Sequence, residues 1–342
     1  MSGAAPPDSA AVKARALSLG FDLCGVAQAR ALDPGPLTTW LSNGYDAGLS
    51  YMRERVAERL DPRALLPGAQ SVIALAASYG PERAASASDA GAPPLPLSIA
   101  RYAQGRDYHN VLLKRARKLA AWLRTQGAQV YAAVDAGAVS EKAWAQEAGL
   151  GWIGKNGMLI NQQFGSWLLL GALVTDLLLT PDTPHPDRCG DCSACLPACP
   201  TDAIKGGRLI DSRRCLAFHT IEHRGPIPEE LAAKAGGRVF GCDACQEACP
   251  WNRRARPASL VQLKSQPGQR ALGVVEALRL TPEETGRRFA GTPLMRAGRD
   301  GLVRSALALA PRPLEGEARA EAERLRGDPA EGVRVEAERA LR

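Results

Sequence analysis

The residues best suited to chemistry in this chain are cysteines. Eight of the nine fall in one stretch: Cys189-x-x-Cys192-x-x-Cys195-x-x-x-Cys199-Pro200, then Cys215, then Cys242-x-x-Cys245-x-x-x-Cys249-Pro250. Thiolates at i, i+3 and i+6 on a tight loop can all face one iron–sulfur cube. A fourth cysteine placed before proline points to a neighbouring cube, as in bacterial ferredoxins. The second run is one cysteine short, and Cys215 makes good the loss. The spacing therefore predicts two 4Fe–4S clusters, one on Cys189, Cys192, Cys195 and Cys249, the other on Cys199, Cys215, Cys242 and Cys245. Structural zinc also uses Cys-x-x-Cys pairs, but it wants four ligands and no shared cysteine before proline. Covalent haem is excluded, because no Cys-x-x-Cys is followed by His. The ninth cysteine, Cys24, sits among Leu23 and Val26 and reads as an inert core thiol.

The rest of the chain must position that stretch. Its 342 residues exceed one comfortable core, so two or three domains are expected. Composition is that of a soluble globular protein, 45% hydrophobic and 23% charged. The start, Met-Ser-Gly-Ala-Ala-Pro-Pro, has no charged region followed by an apolar one, and no apolar run approaches a membrane span. A cytoplasmic location is expected, and it argues against a disulfide framework. The net charge of +7 points weakly to a polyanionic partner such as nucleic acid.

Residues 8–19 have the pattern of an amphipathic helix stopped by Gly20, and Phe21–Ala27 reads as a first strand. Ser71–Ala77, Gln129–Val134 and Trp167–Leu179 read as further strands, and Ser140–Glu147 as a helix. The Ala-, Ser-, Gly- and Pro-rich run 84–96 reads as a surface loop. Strands alternating with helices up to about residue 180 make an α/β or α+β domain. Residues 181–255 then form the ferredoxin-like part, and 256–342 a helical tail whose Asp328–Leu341 resembles the second helix of a HEAT-type repeat. The overall class is α+β. Arginines run through the tail with interspersed glutamates, which fits either an ordinary solvated face or a phosphate-binding surface.

Three other sites could carry chemistry. Asp135 closes a strand, where ligand crevices form in α/β sheets, though it could equally cap the following segment. Gly149-Leu-Gly151-Trp-Ile-Gly154-Lys155-Asn156-Gly157 is a turn that lets backbone approach a large ligand, and it matches no dinucleotide or nucleotide-triphosphate pattern. The loop Ile221-Glu-His223-Arg224-Gly-Pro226-Ile-Pro228 presents His223 and Arg224. Neither His219 nor His223 has metal-ligand spacing to the cysteines, so both read as surface or supporting residues.

At this point the sequence resembles the epoxyqueuosine reductases, which finish queuosine synthesis on tRNA. The resemblance covers nearly the whole chain. It rests on Ala100-Arg-Tyr-Ala-x-Gly-Arg-Asp-Tyr-His109, on Val134-Asp135 with Gly149–Asn156, on Arg214-Cys215 with Ile221–Pro228, and on Gly241-Cys-Asp-Ala-Cys-Gln-Glu-Ala-Cys-Pro-Trp-Asn252. It implies reductive deoxygenation of epoxyqueuosine at the tRNA wobble position, with cobalamin bound beside one cluster. No Asp-x-His-x-x-Gly is present, so cobalamin is expected without a protein His ligand. By position, Arg59, Tyr102, Asp135, Lys155, Asn156 and Leu170 are implied around the corrin, and Asp135 matches the family's proton donor. To donate near pH 7, Asp135 needs a pKa raised by burial. His223 and Arg224 are implied tRNA phosphate contacts. The expected partners are tRNA and an electron donor such as flavodoxin or ferredoxin, with a monomeric protein and no membrane. Two rivals remain: a reductive dehalogenase-like enzyme acting on small molecules, and a plain iron–sulfur electron carrier.

Overall fold

The computed structural model describes residues 7–82 and 96–342. Apart from Pro96, the run read as a surface loop lies outside them.

The first helix forms over Ser9–Ser18, where the Asp8 side chain accepts from the Ala11 N–H and Gly20 ends the turn at φ +94°. The main sheet has four strands in the order Leu23–Gln28, Ser71–Ser78, Leu168–Thr175 and Val130–Ala133, and every neighbouring pair is antiparallel. The domain is therefore α+β. The crevice rule for parallel sheets, invoked for Asp135, does not apply to it. Apart from half-buried Leu170, both inner strands are buried along their length, so alternate residues serve two cores. Ile73 and Leu75 pack with Leu112, Leu119 and Val12 on the face covered by helices Ser9–Ser18 and Tyr108–Thr125. Val72 and Ala74 pack with Trp144 and Ala172 on the face covered by helix Glu141–Glu147. Cys24 packs against the first of these cores, and burial pushes its thiol up to about 12, as an inert side chain requires.

A second sheet joins Arg238–Phe240, Pro96–Ile99 and Ala271–Gly273. Its Leu97, Phe240 and Leu272 share one core with Leu302, Leu307, Leu325 and Val333 of the C-terminal helices. The helical tail is thus built onto strands from both earlier regions, and the core runs across the division at residue 256. Among the described residues, no helix is long and apolar enough to cross a membrane.

The cysteine-bearing part is made of short helices at Cys195–Ala198, Leu216–Ile221, Glu229–Ala232 and Ala244–Glu247. It is fastened to the main sheet by a buried polar hub. Asn252 accepts from the Ser166 N–H at 2.6 Å and donates to Ser166 Oγ and to the Gln246 carbonyl. Gln246 in turn accepts from Tyr79 and Ser166. Gly165 must be glycine here, since a Cβ would lie 1.9 Å from Asn252 Oδ1. Asn252→Ala strands several of these groups, and we expect it to cost about 2–4 kcal/mol in denaturant unfolding.

Candidate active site

Cys189, Cys192, Cys195 and Cys249 line one cavity together with Lys155, Asn156, Ile160 and Trp251. Lys155 Nζ donates to the Gly190 and Cys192 carbonyls, at 2.8 and 2.9 Å, and so pins the first cysteine loop to the Gly-rich turn. Around Cys245, burial pushes the thiol up, and Cys242, Cys215, Cys199 and, from the cavity set, Cys195 add to the shift. Cys242 is raised to about 11, chiefly by burial. Thiols crowded this closely cannot all ionise without compensating cations, which the irons of a cluster would provide. The Ala203 N–H points at Cys199 Sγ from 3.2 Å, a contact suited to a thiolate. Ahead of Cys242, Gly241 has φ +69° and lies so close to Ala100 that a Cβ would come within 2.5 Å.

A second centre forms around Asp135. This residue leaves its strand in the left-handed region, φ +57°, which turns its exposed carboxylate out of the sheet. Tyr108 donates to Asp135 Oδ2 at 2.6 Å, and His109 Nε2 lies 2.9 Å from the same oxygen. The Asp135 N–H donates to Glu141 Oε1 at 2.8 Å. Crowding by the surrounding chain raises the Asp135 pKa, but the hydrogen bonds from His109 and Tyr108 outweigh it and hold the carboxyl below its usual range. The expectation of a raised pKa is thereby corrected. The proton sits on His109 instead, which is raised to about 9 by Asp107 and Asp135. Glu141 is raised to about 7, first by burial and then by Asp135.

The remaining expected residues divide between these centres. Arg59 and Tyr102 lie within electrostatic reach of the Asp135 cluster, whereas Lys155 and Asn156 face the first cysteine cavity. Leu170 lies on the central strand and packs partly buried beside Ala133 and Trp144. Arg59 Nε and Asn156 Nδ2 are buried donors with no partner among the described residues. A cleft of about 710 Å³ is lined by Trp40, Met52, Lys142, Ile153, Gly157 and Arg208 among others, and its Lys142 lies within electrostatic reach of Asp135 and Glu141. Its far wall is latched to the cysteine-bearing part, since Trp40 Nε1 donates to the Ile210 carbonyl and the Ser212 N–H to the Tyr45 carbonyl.

The loop around His223 is held from beneath by buried Arg304, which donates to the His219, His223 and Gly225 carbonyls. Arg224 is exposed, with its guanidinium on the Ile221 and Arg296 carbonyls. His223 Nε2 contacts the Pro226 carbonyl at 3.3 Å. Arg296 pairs with Glu222, and both act electrostatically on exposed Tyr51, as does Asp135. The loop and the tail therefore come within electrostatic reach of Tyr51, and the tail's Arg296 of Asp135. Sequence reasoning assigned no role to Tyr108, His109, Glu141 or Tyr51. The only signal was that Tyr108 and His109 close the motif quoted from residue 100.

A cavity lined by four cysteines, four further cysteines close by and a carboxylate–imidazole pair are the marks of a two-cluster iron–sulfur oxidoreductase. Residues 188–252 match the 4Fe-4S double cluster binding domain, and residues 59–136 match the family described as epoxyqueuosine reductase QueG, DUF1730. Epoxyqueuosine reductase of Gloeobacter violaceus is 46% identical over 255 residues, covering 73% of this chain and 77% of that protein. The Atelocyanobacterium thalassa enzyme is 38% identical over 294 residues, 83% of this chain and 93% of its own length. A crystal structure of epoxyqueuosine reductase with an epoxyqueuosine-modified tRNA-Tyr stem loop superposes with a TM-score of 0.89 at 28% identity, over 96% of this chain and 88% of that one. The Bacillus subtilis structure, described with its aspartate catalytic loop swung out of the active site, gives 0.83 at 26% identity, covering 96% and 97%. The chain belongs to the epoxyqueuosine reductase family.

Proposed function

We propose that this chain reductively removes the epoxide oxygen of epoxyqueuosine at the wobble position of tRNA, in the cytoplasm, and that it does so as a monomer with cobalamin bound. The observation that carries the reading is the Asp135 carboxylate held by Tyr108 and His109 in a chain whose Cys189, Cys192, Cys195 and Cys249 line one cavity with Lys155 and Asn156. Cobalamin fits the residues present. Arg59 Nε and Asn156 Nδ2 are buried donors awaiting acceptors, which the amide side chains around a corrin provide, and Tyr102 and Leu170 add apolar surface. The clusters supply electrons singly at low potential, and cobalamin supplies the difficult carbon–oxygen chemistry when bound.

The chain's own residues do the rest. Tyr108 and Glu141 fix Asp135 from two sides, so its free edge meets the departing oxygen. An oxygen leaving as alkoxide is far more basic than a carboxylate, so it draws a proton through Asp135 although that carboxyl is ionised at rest. The wobble base must be unstacked to reach this point, and exposed Tyr51, within electrostatic reach of Asp135, offers it a ring face. Phosphate contacts are assigned to His223 and Arg224, on the loop that Arg224 ties to the Arg296 carbonyl. Much of the tail is occupied otherwise, since Arg279, Arg288, Arg296, Arg299 and Arg324 pair with carboxylates. Affinity for tRNA should therefore follow a shallow salt dependence, about 0.7–0.9 in log–log slope per phosphate contacted. Titration at several salt concentrations checks this, and a slope of zero would remove the cationic contacts from the account. An external donor such as flavodoxin or ferredoxin refills the clusters.

The deciding experiment is nucleoside mass spectrometry on epoxyqueuosine-containing tRNA, incubated anaerobically with reconstituted protein and a strong reductant, with and without cobalamin. Loss of one oxygen only when cobalamin is added is the expected result. No conversion by protein that carries both clusters and cobalamin would overturn the substrate.

A further inference from the structure

Reductive loss of an epoxide oxygen consumes two electrons and two protons. One carbon–oxygen bond breaks and the oxygen is protonated. The second bond then breaks, the alkene forms, and the oxygen takes its other proton to leave as water. Asp135 is a single carboxyl and delivers one proton each time it is loaded.

The group beside it is arranged to load it again. Asp107 caps the helix Tyr108–Thr125 by accepting from the His109 N–H, and the same oxygen, Oδ1, lies 2.8 Å from His109 Nδ1. The other ring nitrogen faces Asp135 Oδ2 at 2.9 Å. An imidazole with a carboxylate on each nitrogen satisfies both only when both nitrogens carry hydrogen. The Tyr108 ring stacks on the imidazole with centroids 4.1 Å apart and donates its hydroxyl to the same Asp135 oxygen. We propose that His109 is the proton reservoir of the site, reloading Asp135 so that this one carboxyl passes both protons to the departing oxygen, with Asp107 holding the imidazole in line. This rests on the reading of Asp135 as the group that meets the oxygen.

The surrounding charges agree with that role. Asp107 and Asp135 together raise His109 to about 9. Tyr108 is pushed up by burial and then by Asp135, so it keeps its proton and serves only as a donor to the carboxylate. Glu141 and Lys142 approach Asp135 from the next helix and Arg296 from the tail, while Glu141 also feels Arg59. His109 is a positioning and relay residue, since it acts through Asp135, whose side chain is 60% exposed against 32% for the imidazole.

The test is the pH dependence of single-turnover epoxide reduction by the fully loaded enzyme. Wild type should lose rate as pH rises through about 9, because the reservoir empties. His109→Gln keeps a hydrogen-bonding side chain but cannot titrate. It should react at least ~10²-fold more slowly, with that alkaline limb gone and both clusters' absorption unchanged. Imidazole added to His109→Ala should restore part of the rate, as a structural role would not allow. A second readout needs no turnover: the His109 ring signals, assigned with His109→Gln, should titrate at lower pH in Asp135→Asn. An unchanged rate and alkaline limb in His109→Gln, with Asp135→Asn inactive, would overturn the reservoir alone. Wild-type turnover in Asp135→Asn would instead remove the underlying reading.

Discussion

Asp135→Asn should slow epoxide reduction by about two to four orders of magnitude while leaving the iron content and cluster absorption as in wild type. The substitution suits the site structurally. Asn accepts the left-handed backbone found at Asp135, φ +57°, as readily as Asp does. Its side-chain oxygen can still receive the Tyr108 hydroxyl, and its N–H still reaches Glu141. What it loses is the anionic oxygen that pairs with His109 and passes the proton onward. Because both protein ends of the proton path change together, the His109 pKa should fall back toward its ordinary value in this variant. The variant's residual rate should then be insensitive to pH across the range where wild type falls. Single-turnover rates measured on tRNA-bound enzyme, with iron analysis of the same sample, decide the matter.

The parts of this architecture that were legible from sequence are those in which chemistry is local. A cubane binding loop sets its cysteines three residues apart, so the ligand sets can be written down without knowing the fold. Strands and helices around the main sheet were legible for a similar reason, since each carries its own apolar period. Strand direction was not. Ser71–Ser78 and Leu168–Thr175 are buried on both faces, and an uninterrupted apolar run looks the same in a parallel or an antiparallel sheet. The environment of Asp135 was hidden more deeply. Its controlling partner, His109, lies 26 residues away on another element, and nothing local indicates that two aspartates converge on one imidazole. From burial alone a raised Asp135 pKa was the natural expectation, and only the tertiary pairing reverses its sign. The cleft combines residues near 40, 150 and 210, a separation no window of sequence can span. The same holds for the tail, where ion pairing with glutamates occupies arginines that composition alone offers to phosphate.

The crossed assignment of cysteines makes the strongest remaining claim, because an assignment in simple chain order predicts something different. If Cys189, Cys192, Cys195 and Cys199 held one cluster, then Cys199→Ala and Cys192→Ala would lose the same centre. The structure instead puts Cys249 with Cys189 at the cavity beside Lys155 and Trp251, while Cys199 influences Cys215 and Cys245. Cys199→Ala and Cys245→Ala should therefore share one spectroscopic outcome, and Cys192→Ala and Cys249→Ala another. Each variant should hold about half of the wild-type iron and show the electron paramagnetic resonance of the surviving centre only. Loss in the first pair leaves intact the cluster cavity bordered by Asn156 and Trp251, yet it cuts the supply of electrons to it. Loss in the second pair removes the cavity's own occupant. Turnover with a strong artificial reductant should consequently survive in part for the Cys199 and Cys245 variants and vanish for the Cys192 and Cys249 variants. Matching spectra for Cys192→Ala and Cys199→Ala would refute the crossed arrangement. It would also break the argument that the cysteine before each proline reaches across, since Cys199-Pro200 and Cys249-Pro250 both depend on it.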